Sequence, residues 1–221
     1  MSEHNSEKGR DGAIALRPAV FLDRDGTLIE ERSYPTRPED IVPLPGVSQA
    51  LQRLASAGFL RIMLTNQSAV ARGMLTENGL AILHEHLIHQ LNALGGGLDA
   101  IYYCPHHPDG VAAGYNHACS CRKPKHGLLD LAMREYPIDL SRSIFIGDSP
   151  RDLFLDAGPA AGRLLVETGH TIDDSSGADA VVPSIVEATD WIVKRYGRLP
   201  PTAPATQQPS GTDENSPPSR G

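Results

Sequence analysis

The chain has 221 residues, 40% of them hydrophobic, which supports one α/β domain with a full core and leaves too few residues for a second large one. Its formal net charge of −7 argues against a broad basic face for a nucleic-acid backbone, yet a small anionic substrate stays open, because a few basic residues can focus a field within a cleft. No apolar run approaches the ~20 residues needed to span a bilayer, and the polar start Met1-Ser2-Glu3-His4-Asn5 lacks the layout of a secretory signal, so a cytoplasmic protein without a membrane partner is expected.

Residues 1–16 are polar and charged and predict a disordered tail. The apolar run at 19–22 predicts a buried strand, and Asp23-Arg24-Asp25-Gly26-Thr27 follows it directly. In an open α/β sheet the residues just past a strand's carboxyl end face the ligand crevice, which turns Asp23 toward a substrate. Gly26 permits a sharp turn that brings both carboxylates to one spot, where they repel unless a cation sits between them or one keeps its proton. A lone Asp-x-Asp is as often a solvated strand end as a site, so the later motifs decide. A helical pattern at 46–57 leads to a second run at 60–64, followed by Thr65-Asn66-Gln67-Ser68. A hydroxyl and newly exposed backbone N–H groups there suit a phosphate oxygen, with Thr65 holding the transferring group.

The pattern at 76–94 carries Leu80, Leu83, Leu87, Leu91 and Leu94 at steps of three and four. It predicts an amphipathic helix capped by Thr76, with His84, His86 and His89 on its wetter sides. A third run at 100–103 precedes Cys104-Pro105-His106-His107 and, after a loop, Cys119-Ser120-Cys121. Three clustered thiols and an imidazole suit a closed tetrahedral Zn2+ site, structural because four protein ligands leave no position for substrate water. His106, His107 and His117 compete for the fourth place on spacing alone. Arg122-Lys123-Pro124 follows at once, ahead of a helical pattern at 127–136. The point charge of Lys123 suits phosphoryl oxygens, whereas the planar fork of Arg122 suits a second anionic or hydroxyl-rich part of a substrate. A zinc-stiffened loop at 104–121 would fix both.

The run at 143–146 leads to Gly147-Asp148-Ser149-Pro150-Arg151-Asp152. Asp148 can complete a Mg2+ site with Asp23, while Asp152 either orients Lys123 or caps a helix expected at 151–157. Runs at 164–166 and 180–182 and a helical pattern at 185–193 complete the domain, and residues 199–221, rich in Pro, Ser, Thr and Gln, predict a second disordered tail. The alternation of strands and helices predicts a parallel sheet with right-handed crossovers in a Rossmann-like three-layer α/β sandwich over 17–198. The short intervals 27–65 and 68–122 leave no room for a separate cap domain.

Taken in this order, each after an apolar run, the four motifs resemble the haloacid dehalogenase superfamily of phosphohydrolases over residues 20–193. The run Ile101-Tyr102-Tyr103-Cys104-Pro105-His106-His107-Pro108, followed by Cys119-Ser120-Cys121-Arg122-Lys123-Pro124, further resembles the D-glycero-D-manno-heptose 1,7-bisphosphate 7-phosphatases, whose histidinol-phosphatase relatives share the zinc loop. The resemblance implies a magnesium-dependent phosphatase that forms an aspartyl-phosphate. It makes Asp23 the nucleophile, Asp25 the acid/base, Thr65 and Lys123 the phosphoryl stabilisers and Arg122 the substrate reader. Asp23, Asp25 and Asp148 take the magnesium positions, and Cys104, His106, Cys119 and Cys121 the zinc positions. Substrate contacts are implied at Glu31, Arg32, Ser33 and Tyr34, and at Thr65, Asn66, Gln67 and Ser68 beside Arg122 and Lys123.

The expected reaction removes the 7-phosphate of D-glycero-D-manno-heptose 1,7-bisphosphate, in the supply of nucleotide-activated heptose for lipopolysaccharide or other glycans. A monomer acting on a small sugar phosphate, with no nucleic-acid partner, is expected. Histidinol phosphate is the alternative substrate, disfavoured because a second phosphate gives Arg122 a remote anion. A DNA-end phosphatase shares the aspartate motif but conflicts with the acidic composition. From another class, a non-catalytic zinc-stabilised binding module accounts for the cysteines but not for Asp23, Asp25, Lys123 and Asp148 together.

Overall fold

The computed structural model describes residues 15–175 and 177–197, so the tails expected at 1–16 and 199–221 lie, but for residues 15 and 16, outside the described residues. Strands β1 (Ala19–Leu22), β2 (Leu60–Asn66), β3 (Ala100–Cys104), β4 (Ile144–Gly147), β5 (Gly162–Val166) and β6 (Ala180–Val182) form one sheet in the order β3-β2-β1-β4-β5-β6. Every neighbouring pair is parallel, and Phe21 of β1 lies in register with Ile62 on one side and Phe145 on the other. The strand order reverses at β1, which opens a crevice at the carboxyl ends of β1 and β4. Among the described residues no helix is long and apolar enough to cross a membrane.

Alternation along the strands divides the core into two layers. Val20, Leu22, Met63, Ile144, Ile146, Leu164 and Val166 pack beneath α1 (Val47–Ser56), α2 (Glu77–Ala93) and α4 (Ile185–Tyr196). Phe21, Ile62, Leu64, Tyr102 and Phe145 face the other way, toward α3 (Gly127–Glu135). That second face has less helix to cover it, because the segment expected as a helix at 151–157 is a single 3-10 turn, Pro150–Asp152, followed by irregular chain. The reason is Phe154: its φ of +46° has no place in a helix, and it sets the ring 5.2 Å from that of Phe145. Phe21 stacks on Phe145 from below at 5.0 Å, so three of the chain's four phenylalanines fill the gap.

Helix α2 is capped by Thr76, whose hydroxyl accepts from Gly79 N at 3.0 Å, and it buries Leu80, Leu83, Leu87 and Leu91. Two expectations on this helix are corrected. Leu94 lies past its end and is 64% exposed. His84 is not on a wet side but buried, because position 84 falls four residues after Leu80 and three before Leu87, on the apolar stripe itself. Burial, with Arg24 beside it, drives the His84 pKa down to about 3.

The folded state therefore holds His84 neutral while the unfolded chain binds a proton below the ordinary value of 6.5. Its contribution is complete above that pH and is lost as pH falls toward 3. Between pH 7 and pH 5 the wild type should lose about 2 kcal/mol through this residue. Urea unfolding of His84→Gln alongside the wild type at both pH values checks this, since the variant should lose correspondingly less.

Candidate active site

The loops after β1 and β4 meet at the switch point. Asp23 N donates to Ile146 O at 3.1 Å, and the chain then turns at Gly26, whose φ is +72°. A Cβ there would stand 2.4 Å from Asp148 Oδ2, so glycine is required both by the turn and by the closeness of the two loops. As a result carboxylate oxygens of Asp23, Asp148 and Asp152, all buried, lie within 4.8 Å of one another. Asp148 Oδ2 accepts from the backbone N of His170 at 2.9 Å and its Nδ1 at 2.5 Å, whereas Oδ1 is buried with no hydrogen-bond partner among the described residues. An orphaned carboxylate oxygen beside others is what a hard divalent cation satisfies, so this donor set fits Mg2+.

Lys123 makes that convergence tolerable. Its Nζ donates to Asp23 Oδ1 at 2.7 Å and to Leu64 O at 2.6 Å, and lies 2.7 Å from Asp152 Oδ1. The ammonium is buried, which disfavours its charge, but Asp152 and Asp23 outweigh burial and hold its pKa above the ordinary lysine value. Burial pushes the Asp152 carboxyl up, against the pull of Lys123. Asp152 pairs through Oδ1 with Lys123, whereas it caps no helix as N-cap: Ser149 is the N-cap of the Pro150–Asp152 turn, and Asp152, its third residue, accepts at Oδ2 from Ser149 N at 3.1 Å. Asn66 fixes Lys123 by its backbone, accepting from Lys123 N at 3.0 Å and donating to Lys123 O at 3.2 Å. Its amide is thereby committed to the protein.

Gln67 is committed as well. Its Nε2 donates to Asp25 Oδ2 and to Thr65 Oγ1, both at 2.8 Å. Because Thr65 accepts there, its own O–H is left to donate elsewhere. Asp25 also receives a two-bond fork from Arg24, 3.1 Å from Nε to Oδ2 and 2.9 Å from Nη2 to Oδ1.

Asp23, Arg24, Asp25, Asn66, Gln67 and Lys123 line a cavity of about 310 Å3, together with Ser68 and the segment from Glu31 to Tyr34, whereas Thr65, Asp148 and Asp152 are buried and do not line it. Glu31, beside Asp148 and His170, has its carboxyl pushed up by burial and by Asp25. Tyr34 takes a left-handed φ of +57° and sets its ring 5.2 Å from the Arg72 guanidinium, whose Nε is buried without a hydrogen-bond partner among the described residues. Arg72, Arg122 and Arg151 all face the cavity. Burial, and then the repulsion of Arg151 and Arg72, lower the pKa of Arg122 against the opposing pull of Cys104 and Cys119.

The cysteine loop closes beside the cavity. Sγ of Cys121 lies 3.0 Å from Sγ of Cys104 and 3.3 Å from Sγ of Cys119, and His106 Nδ1 lies 3.3 Å from Cys121 Sγ. The sulfurs are too far apart for disulfides, near 2.05 Å, and approach the roughly 3.8 Å edge of a tetrahedron built on Zn–S bonds of about 2.3 Å. His106 is the imidazole in this cluster, whereas His107 Nδ1 accepts from Asp109 N at 3.1 Å and His117 packs with its ring 4.5 Å from that of His106. Soft thiolates with one imidazole fit Zn2+. Arg122 Nη1 reaches His106 O at 3.4 Å, a direct link from this loop to the cavity wall.

The structure thus brings the expected phosphate and magnesium residues together at one crevice, with the cysteine cluster beside it, and adds Arg24, Arg72, Arg151 and His170, which carry no role in the sequence analysis. Their only sequence signal was position: Arg24 between the two aspartates, Arg72 a few residues past Ser68, Arg151 just before Asp152, His170 shortly past β5.

A family model described as Polynucleotide kinase 3 phosphatase matches residues 19–181. The D-glycero-beta-D-manno-heptose-1,7-bisphosphate 7-phosphatase of Yersinia pestis is 38% identical over 182 residues, 81% of this chain and 97% of that relative. The protein of that name from Rhodopseudomonas palustris is 42% identical over 147 residues, 66% of this chain and 80% of its own. A solved structure of D,D-heptose 1,7-bisphosphate phosphatase from B. bronchiseptica, complexed with magnesium and phosphate, is 31% identical with a TM-score of 0.69, covering 81% of this chain and 99% of that one.

Replacing Lys123 by Met leaves Asp23 and Asp152 buried without their cation. Urea unfolding in metal-free buffer should show a loss of about 3–5 kcal/mol, and wild-type stability would contradict the pairing described.

Proposed function

Because the chain belongs to the Polynucleotide kinase 3 phosphatase family, and to that of the heptose-bisphosphate phosphatases with HAD-like folds, we propose that it hydrolyses the 7-phosphate of D-glycero-D-manno-heptose 1,7-bisphosphate through an aspartyl-phosphate. One observation carries this reading: Asp23 stands at the switch point with the Lys123 ammonium on one oxygen and the orphaned oxygen of Asp148 close by. In the first step an Asp23 oxygen forms a bond to phosphorus as the bond from phosphorus to the sugar oxygen breaks, and Asp25 gives that oxygen a proton. In the second, water attacks the same phosphorus, Asp25 takes its proton, and the Asp23 carboxylate leaves. Lys123 holds Asp23 in place and offsets equatorial charge, while the free hydroxyl proton of Thr65 donates to a phosphoryl oxygen. Asp23 and Asp148, with the backbone carbonyl of Asp25, would hold Mg2+, which supplies further neutralisation of the transferring phosphoryl group. The Asp25 side chain is already engaged by Arg24 and Gln67, which leaves its carbonyl as the oxygen it would offer the ion.

Arg122, with Arg72 and Arg151 near it, supports recognition of a second phosphate, and among the described residues none of the three is ion-paired to a carboxylate. Glu31, Arg32, Ser33, Tyr34 and Ser68 are read as sugar contacts; for Asn66 and Gln67, whose amides are committed internally, contact falls to the backbone. Cys104, His106, Cys119 and Cys121 are read as a structural Zn2+ site that stiffens the wall carrying Arg122. Free thiols at a metal cluster suit a reducing compartment, which supports a cytoplasmic enzyme.

Phosphate release with and without Mg2+ tests the reading on three esters: the heptose bisphosphate, histidinol phosphate and a 3′-phosphorylated oligonucleotide. The heptose ester should lead in kcat/KM, and dominance of either competitor would displace it. Asp23→Asn should abolish acid-stable trapping of labelled phosphate on the protein. Stripping zinc with a chelator should raise KM for the bisphosphate more than it lowers kcat and should reduce Tm, with metal analysis of the untreated protein giving one zinc per chain.

A further inference from the structure

Arg24 has no part in the chemistry described above, yet it is the largest fully buried side chain of the structure. A buried guanidinium costs several kcal/mol unless its donors are placed, so where they point is informative. Nε and Nη2 form the fork on Asp25, and Nη1 lies 3.4 Å from His84 Nε2. A neutral His84 can accept that bond, and burial beside Arg24, which lowers its pKa to about 3, favours the neutral ring. Side chains of sequence neighbours ordinarily diverge; here they meet because the chain curls, with Arg24 O accepting from Leu28 N at 2.8 Å and Ile29 N at 3.0 Å. Gln67 supplies a third donor to Oδ2. Both oxygens of Asp25 are thus fixed from behind while its side chain, 19% exposed, opens on the cavity.

We propose that Arg24, braced by His84, is a positioning residue that holds the Asp25 carboxyl in the orientation from which it passes a proton to the departing oxygen. The inference rests on the phosphatase reading above. A planar two-bond fork fixes the rotation of a carboxyl group as well as its place, which the single point charge of a lysine does not. The geometry therefore separates Arg24→Lys, which keeps the charge, from the wild type.

The test compares two leaving groups with Mg2+ present. A sugar alkoxide needs the Asp25 proton to depart, whereas nitrophenolate leaves without one. Arg24→Lys should lower kcat on the heptose bisphosphate on the order of 10- to 100-fold with KM within about twofold, while its first-turnover release of nitrophenolate from p-nitrophenyl phosphate stays within a few fold of wild type. His84→Leu, which withdraws the brace, should show the same selectivity to a smaller degree, and it is the variant to read if Arg24→Lys does not fold. Equal losses on the two esters, or an unchanged kcat on the bisphosphate, would overturn the positioning role. A wild type that releases phosphate from neither ester would instead overturn the phosphatase reading itself, so the two failures are distinguishable.

Discussion

The contact on which the site depends is the buried ion pairing of Lys123 with Asp23 and Asp152. Three carboxylates brought within 4.8 Å of one another in a low-dielectric interior would repel and be driven to take up protons. One ammonium between two of them, anchored also on Leu64 O, removes most of that cost and leaves an oxygen of Asp148 unmatched. The cluster is therefore held together by the protein but is not complete within it. The donor set fits a divalent cation, and the same ammonium that permits the cluster pairs with Asp23, the residue proposed as nucleophile.

The sheet delivers these groups because of its strand order. With β1 at the reversal, the chain leaving it cannot be covered by a neighbouring crossover on that edge, and the residues after β1 and β4 are left facing each other. Close approach then demands glycine on both sides. Gly26 avoids Asp148, and a Cβ on Gly147 would stand 2.2 Å from that of Asp152. Lys123 arrives from farther away, at the end of the cysteine loop, so its placement depends on how that loop is tied down. Asn66, on the last residue of β2, holds its backbone from both sides.

Much of this was legible in the sequence because it is local. Apolar runs of four or five residues leading to Asp23, Thr65 and Asp148 are short-range patterns, and they match β1, β2 and β4 closely. What was not legible depends on partners distant in the chain. The spacing of His84 from Leu80 and Leu87 already puts it on the apolar stripe, but the partner that meets its ring, Arg24, lies 60 residues earlier. The helix expected at 151–157 fails on a single backbone angle at Phe154, which is set by the demand for a ring over Phe145 and not by any local propensity. Asp152 was ambiguous between capping and pairing because a carboxylate has two oxygens; here one pairs with Lys123 and the other accepts from Ser149 N, the N-cap of its own turn. Arg72 and Arg151 carry no motif; only their arrival at one cavity gives them meaning.

The cavity joins two kinds of charge, the buried pair of Asp23 with Lys123 and a group of three arginines. Asp23 is only 8% exposed, beside the metal-fitting carboxylates and Lys123. Arg72, Arg122 and Arg151 stand on the wall without carboxylate partners among the described residues, in a chain whose net charge is −7. Around Asp23 the side chains of Arg24, Gln67 and Lys123 are committed to the protein, so under the proposed function the reacting phosphate meets Asp23 and Lys123, while the three arginines offer the unpaired cations that a second phosphate requires.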